Sequence, residues 1–145
     1  MRGFFEIGIY HIKREVNLGT LWRSAYQLGA SGIFTINMRY KRQASDTTAA
    51  FNHIPLRHFP DFEAFNDNRP YGAMLIGIEM GGTKLNDFIH PERAIYLLGA
   101  EDHGLPQASL DKCQQVVSIE ALRMESYNVA VAGSIVMWHR LVQRG

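Results

Sequence analysis

Ala94-Ile95-Tyr96-Leu97-Leu98-Gly99-Ala100-Glu101-Asp102-His103-Gly104-Leu105-Pro106 is the stretch whose reading decides the fold. Its five leading residues are apolar without alternation, as in a strand covered on both faces by helices; a half-exposed strand would alternate apolar with polar. Gly99 ends the run where a backbone has to approach something closely. Two acids, a histidine and a Gly-Leu-Pro exit follow. On its own, this break reads equally as a strand-to-helix turn and as a ligand loop.

Upstream, Phe4-Phe5-Glu6-Ile7-Gly8-Ile9-Tyr10 has the aromatic and branched content of a first strand. Asn17 is placed to cap a helix running to Tyr26 or Leu28, with Leu18, Leu21, Trp22 and Ala25 forming an apolar stripe and Arg23 pointing off it. Gly29-Ala30-Ser31-Gly32 closes that helix, and Ile33-Phe34-Thr35-Ile36 forms a second strand, giving the βαβ unit of a parallel sheet. Ser45 to Phe51 reads as a loop with a short helix. Ile54 to Phe59 reads as an edge strand, since Pro55 cannot donate to a central ladder. Asp61 to Asn66 is a short helix anchored by Phe62 and Phe65, and Tyr71 to Glu79 is a buried strand ending before Gly81-Gly82. Beyond the opening stretch come a helical turn or two over Gln107 to Cys113, a last strand over Gln115 to Ile119, and a polar loop from Glu120 to Tyr127. A helix over Val129 to Val142 follows, capped by Asn128. Alternating strands and helices predict an α/β fold with a mostly parallel sheet, helices on both faces, and a ligand crevice at the strands' carboxyl ends.

The chain has 145 residues, the length of one domain, so a single domain over 1–145 is expected. An apolar share of 46% with 20% charged residues fits a water-soluble globular chain, and no apolar run is long enough for a membrane span. The N-terminus does not have the pattern of a signal peptide, and a cytoplasmic location is the default expectation. One cysteine, Cys113, and scattered histidines offer neither an internal disulfide nor a set of metal ligands. A net charge of +1 confines any nucleic-acid contact to local clusters, here Lys13-Arg14 and Arg39-Tyr40-Lys41-Arg42.

Three segments carry a resemblance. Asn17-Leu18-Gly19-Thr20-Leu21-Trp22-Arg23-Ser24-Ala25, Gly99 to Pro106, and Ser126-Tyr127-Asn128-Val129-Ala130-Val131-Ala132 are similar, in order and spacing, to the three motifs of the SpoU (TrmH-like) branch of the SPOUT RNA methyltransferases. The similarity covers essentially the whole chain. It implies transfer of a methyl group from S-adenosylmethionine to a ribose 2′-hydroxyl of RNA, tRNA before rRNA, by a homodimer whose C-terminal trefoil knot forms the cofactor pocket. It makes Arg23 the central catalytic residue, joined by Asn17, Glu101, Ser126 and Asn128. It also assigns the cofactor to Glu79, Gly99, Gly104, Ile119 and Ser126.

The chemistry suits those residue types. A ribose hydroxyl is a poor nucleophile while protonated, so the protein must align the reacting atoms and ease proton loss. Arg23 keeps its own proton, which favours gripping the neighbouring phosphate and stabilising alkoxide charge, with an arginine-base mechanism as the rival. Glu101 can brace the cofactor loop or serve as a helix-start acid. His103 stands where many relatives carry Arg and either contacts RNA or faces solvent. With no separate RNA-recognition module expected, Lys13, Arg14, Arg39, Lys41 and Arg42 would hold the RNA and Tyr40 would stack on a base. The third motif departs from the usual pattern at Tyr127 and Ala130. A non-catalytic RNA-binding or ribosome-assembly protein of the same fold is the alternative. A Rossmann oxidoreductase fits less well, since no Gly-x-Gly-x-x-Gly follows the first strand.

Overall fold

The structure is a computed structural model and describes residues 3–38, 53–99, 103–124 and 126–145. Its frame is a six-stranded, all-parallel sheet in the order β3-β2-β1-β5-β4-β6. The strands are β1 (Phe4–Tyr10), β2 (Gly32–Ile36), β3 (Leu56–Phe59), β4 (Met74–Lys84), β5 (Arg93–Leu98) and β6 (Gln115–Ser118). The helices are α1 (Glu15–Gln27), α2 (Phe62–Asn68), α3 (Gln107–Leu110) and α4 (Val129–Arg144).

β5 shows why the apolar run had to be a two-faced strand. Ala94, Tyr96 and Leu98 belong to the core shared with Leu18, Leu21 and Trp22 of α1 and with Val136 and Met137 of α4. Ile95 and Leu97 belong to the opposite core, with Phe65 of α2 and Leu105 ahead of α3. Each such side chain, fully removed from water, contributes roughly 1.5–3 kcal/mol, so β5 anchors both layers. α4 approaches closely because Gly133 leaves room: a Cβ there would stand 2.5 Å from Leu21 Cδ1. The edge reading of the Pro55 segment holds, with β3 outermost and starting at Leu56, one residue after the proline.

Three local expectations change. Asn17 is not a cap: α1 begins at Glu15, Arg14 takes the extended N-cap conformation without a side-chain bond, and Asn17 is buried inside the first turn. The reason is tertiary, because Asn17 Oδ1 accepts from Asn128 Nδ2 at 3.1 Å. β4 does not stop at Glu79. The chain bulges out over 79–82 and rejoins β6, so that Ile78 and Thr83 both face Val117. The last strand ends at Ser118, which leaves Ile119 at the mouth of the following loop. The Ser45 to Phe51 expectation lies outside the described residues.

The amino edge of the sheet is closed by a buried polar network. Arg140, 2% exposed, donates to Pro91 O (2.8 Å), Glu92 O (2.9 Å) and Tyr96 Oη (3.0 Å). Since guanidinium only donates, the Tyr96 hydroxyl accepts from it and sends its own hydrogen to His90 Nδ1, 2.6 Å away. His90 therefore carries its hydrogen on Nε2, toward His139 Nδ1 at 2.8 Å. Burial, and then the neighbouring His139, Arg140 and Arg144, press the His90 pKa down to about 3.

Candidate functional site

The opposite edge is open. Strand order reverses across β1 and β5, and the crevice of an open parallel sheet forms at the carboxyl ends beside such a point. A cavity of about 750 Å³ lies there, walled by the ends of β4 and β5, the 103–104 turn, the 118–121 segment and the start of α4. Glu79, Gly99, Gly104, Ile119 and Ser126, the five positions expected to hold a cofactor, all line it, as does His103.

The walls are shaped by close backbone approach. A Cβ on Gly99 would stand 2.4 Å from the Gly104 carbonyl carbon, so the chain crosses itself where only hydrogen fits. Gly104 has φ +66°, and a Cβ there would stand 2.4 Å from Glu79 Oε2. The Glu79 carboxylate accepts from Leu105 N at 2.7 Å and from Met80 N at 3.0 Å. It thus ties the β4 bulge to the Gly104-Leu105 turn, the bracing task that the sequence reading gave to Glu101. A strand-end acid followed by Gly81-Gly82 was the available signal for that task. Glu101 itself lies outside the described residues, as do Arg39, Tyr40, Lys41 and Arg42.

The loop from Glu120 to Tyr127 is drawn closed by the Tyr127 hydroxyl, which donates to Glu120 O at 2.6 Å. Asn128 then caps α4, its Oδ1 accepting from Ala130 N (2.9 Å) and Val131 N (3.2 Å). Its amide also reaches Asn17, and about one and a half turns deeper Ser134 Oγ donates to Ala130 O at 2.8 Å and so accepts from Ser24 Oγ at 2.9 Å. The first and third sequence motifs are therefore joined helix to helix beside the cavity. Lys84 and Ser118, not singled out from the sequence, also line it. Arg23 does not: it is exposed on α1 and forms no hydrogen bond or ion pair among the described residues. Lys13 and Arg14 are likewise exposed, on the β1–α1 connection.

The model of the SpoU rRNA Methylase family matches residues 5–138. The chain belongs to that family. Among SpoU relatives, an uncharacterized tRNA/rRNA methyltransferase of Mycobacterium bovis is 30% identical over 131 residues, 83% of this chain and 40% of its own length. One of Mycobacterium avium is 28% identical over 90% of this chain and 45% of its own. The chain thus spans less than half the length of these curated relatives. The same fold occurs in a structure described as giving insights into the 2-OH methylation of C/U34 on tRNA. It has a TM-score of 0.88 and 23% identity, with 99% of this chain and 98% of that one covered. The SpoU methyltransferase AviRb of Streptomyces viridochromogenes, in complex with the cofactor AdoMet, superposes with a TM-score of 0.85 at 24% identity, covering 97% and 58%. No helix among the described residues is long and apolar enough to cross a membrane.

Proposed function

We propose that this SpoU chain is a single minimal domain, residues 1–145, that methylates a ribose 2′-hydroxyl of RNA with S-adenosylmethionine, acts on tRNA before rRNA, and works in the cytoplasm as a homodimer. The observation that carries the reading is the carboxyl-edge cavity, built from the bare Gly99–Gly104 crossing and the start of α4. Its size lies within the roughly 300–1,000 Å³ of small-molecule and cofactor sites. Leu98, Ile119, Val129 and Ala132 give an apolar surface for a purine, while Ser118, Ser126 and Lys84 offer polar partners to a ribose and an amino-acid carboxylate. The donor set therefore fits the cofactor, which when bound supplies a methyl group already activated on a sulfonium sulfur.

The chain's own residues supply position. Gly99 admits the ligand against backbone, Glu79 fixes the turn opposite it, and the Asn17–Asn128 bond sets α1 against α4. Arg23 is assigned to grip the phosphate next to the target ribose and stabilise alkoxide charge, a preorganised cation where negative charge develops. Because Arg23 stands outside its own chain's cavity, a second copy is needed to bring an arginine to each site. α4 offers a surface for this in Val131, Trp138 and Val142, a stripe of exposed apolar residues on one helix face. α4 also returns from the β6 edge to pack on α1, the course that the trefoil knot implied by the resemblance requires.

The departures at Tyr127 and Ala130 have structural roles. Tyr127 closes the loop with its hydroxyl, and Ala130 is buried in the core. Mapping ribose methylation on RNA incubated with the purified chain tests the reading, with cofactor affinity followed by calorimetry. Arg23→Ala is expected to lower turnover about 10²–10³-fold while leaving cofactor affinity unchanged. Turnover like that of the unaltered chain would remove Arg23 from catalysis, and an unaltered chain that binds no S-adenosylmethionine would favour the non-catalytic RNA-binding alternative.

A further inference from the structure

The outward face of α1 holds Arg23 and, three residues on, Tyr26, which is 45% exposed. That spacing puts two side chains on neighbouring positions of one helix face, about 5–6 Å apart at Cβ. The Tyr26 ring stacks on the ring of His53, with centroids 4.7 Å apart and planes 21° from parallel. His53 is exposed as well, so water reaches both members of the pair. Neither side chain forms a hydrogen bond or ion pair among the described residues, and the contact between them is ring on ring alone.

The pairing is more than the chain needs at this place. His53 leads into β3 through Ile54 and Pro55, and both of these are already tied down. Trp22 Nε1, one turn before Tyr26 on α1, donates to Ile54 O at 3.1 Å, and Ile33 N of β2 donates to Pro55 O at 2.9 Å. The ladder of β3 on β2 follows at once. What the stack adds is a flat surface. Two stacked rings leave one outer π-face on each, and the exposed Arg23 guanidinium stands on the next position of the helix face in no ion pair among the described residues.

A cation beside an exposed aromatic surface suits single-stranded RNA, whose phosphate meets the charge while an unstacked base lies on the ring. We infer that Tyr26 and His53 form a stacking platform for one nucleobase of the substrate tRNA, next to the phosphate that Arg23 grips. The inference rests on the tRNA reading above. α1 starts at the carboxyl edge, and the platform lies one turn farther along it than Arg23. Like Arg23, it serves the cavity of the second copy and not its own. It adds affinity for RNA and none for S-adenosylmethionine.

The test measures binding of labelled tRNA by fluorescence anisotropy across a salt series, with S-adenosylmethionine affinity by calorimetry and oligomeric state by sedimentation as controls. Tyr26→Ala and Tyr26→Leu are each expected to weaken tRNA binding about tenfold, and His53→Ala about threefold. Tyr26→Phe keeps the ring and should bind within about twofold of the unaltered chain. Since stacking releases no counterions, the slope of log K against log salt should be the same in every variant, whereas loss of a phosphate contact lowers it by about one. Unaltered binding in Tyr26→Ala or His53→Ala, a loss in Tyr26→Phe equal to that in Tyr26→Leu, a lowered salt slope, or a parallel change in cofactor affinity or oligomeric state would each overturn the platform alone. An unaltered chain that binds no tRNA at any salt would overturn the tRNA reading and this inference together.

Discussion

The two edges of the sheet spend their polar groups in opposite ways. At the amino edge, Arg140, Tyr96, His90 and His139 are bonded to one another or to strand-end carbonyls in one directed chain. At the carboxyl edge, close backbone crossings leave a cavity, and the cations Lys13, Arg14 and Arg23 are exposed outside its lining. A saturated network fixes the fold, since every buried donor has its acceptor. The same strands thus carry stability at one end and binding at the other.

The largest effect that would break this contrast is at Arg140. Arg140→Ala leaves the Pro91 carbonyl without its donor, takes one of two donors from the Glu92 carbonyl, which keeps Phe4 N, and opens a buried void; it should cost about 3–5 kcal/mol in urea unfolding. Cofactor affinity of the folded fraction should be unchanged; a loss below about 1 kcal/mol would show that the amino edge is not the lock described.

Next is acid. With the His90 pKa held near 3 against an ordinary 6.5, the folded state binds fewer protons than the unfolded one between those values. Stability is therefore complete above pH 6.5 and falls as pH drops through that window, by up to about 1.4 kcal/mol per pH unit. Unfolding curves at a series of pH values check this, and His90→Gln should flatten the slope. A slope unchanged in that variant would assign the acid sensitivity elsewhere.

Smallest in stability, and sharpest for the comparison, is Gly99→Ala. Its methyl group would meet the Gly104 backbone, so the turn must move, at a cost of about 1–3 kcal/mol. S-adenosylmethionine affinity should fall at least about tenfold, the reverse of the Arg140 pattern. Retained affinity would place the cofactor away from Gly99.

Much of this was legible in the chain itself. The unalternating Ala94 to Leu98 run requires cover on both faces, and Pro55 requires an edge, because both constraints act within a few residues. The Asn128 cap was equally local. What failed to show were features decided by a distant partner. Asn17 has the composition of a cap, yet Asn128 takes its side chain across a helix interface. Glu79 lines the cavity as the cofactor expectation requires, but its bracing of the turn did not show: both of its oxygens accept from backbone amides, one of them 26 residues on.

The sequence by itself determined the layered α/β architecture, the covered central strands and the three motif positions, because periodicity, turn chemistry and motif spacing are properties of neighbouring residues. Only the tertiary structure decided the reversal of strand order, the bulged return of β4 to β6, the meeting of Gly99 with Gly104 and the stacking of Tyr26 on His53. Those depend on which backbones come to lie side by side, and close approach between segments far apart in the chain leaves no period to read.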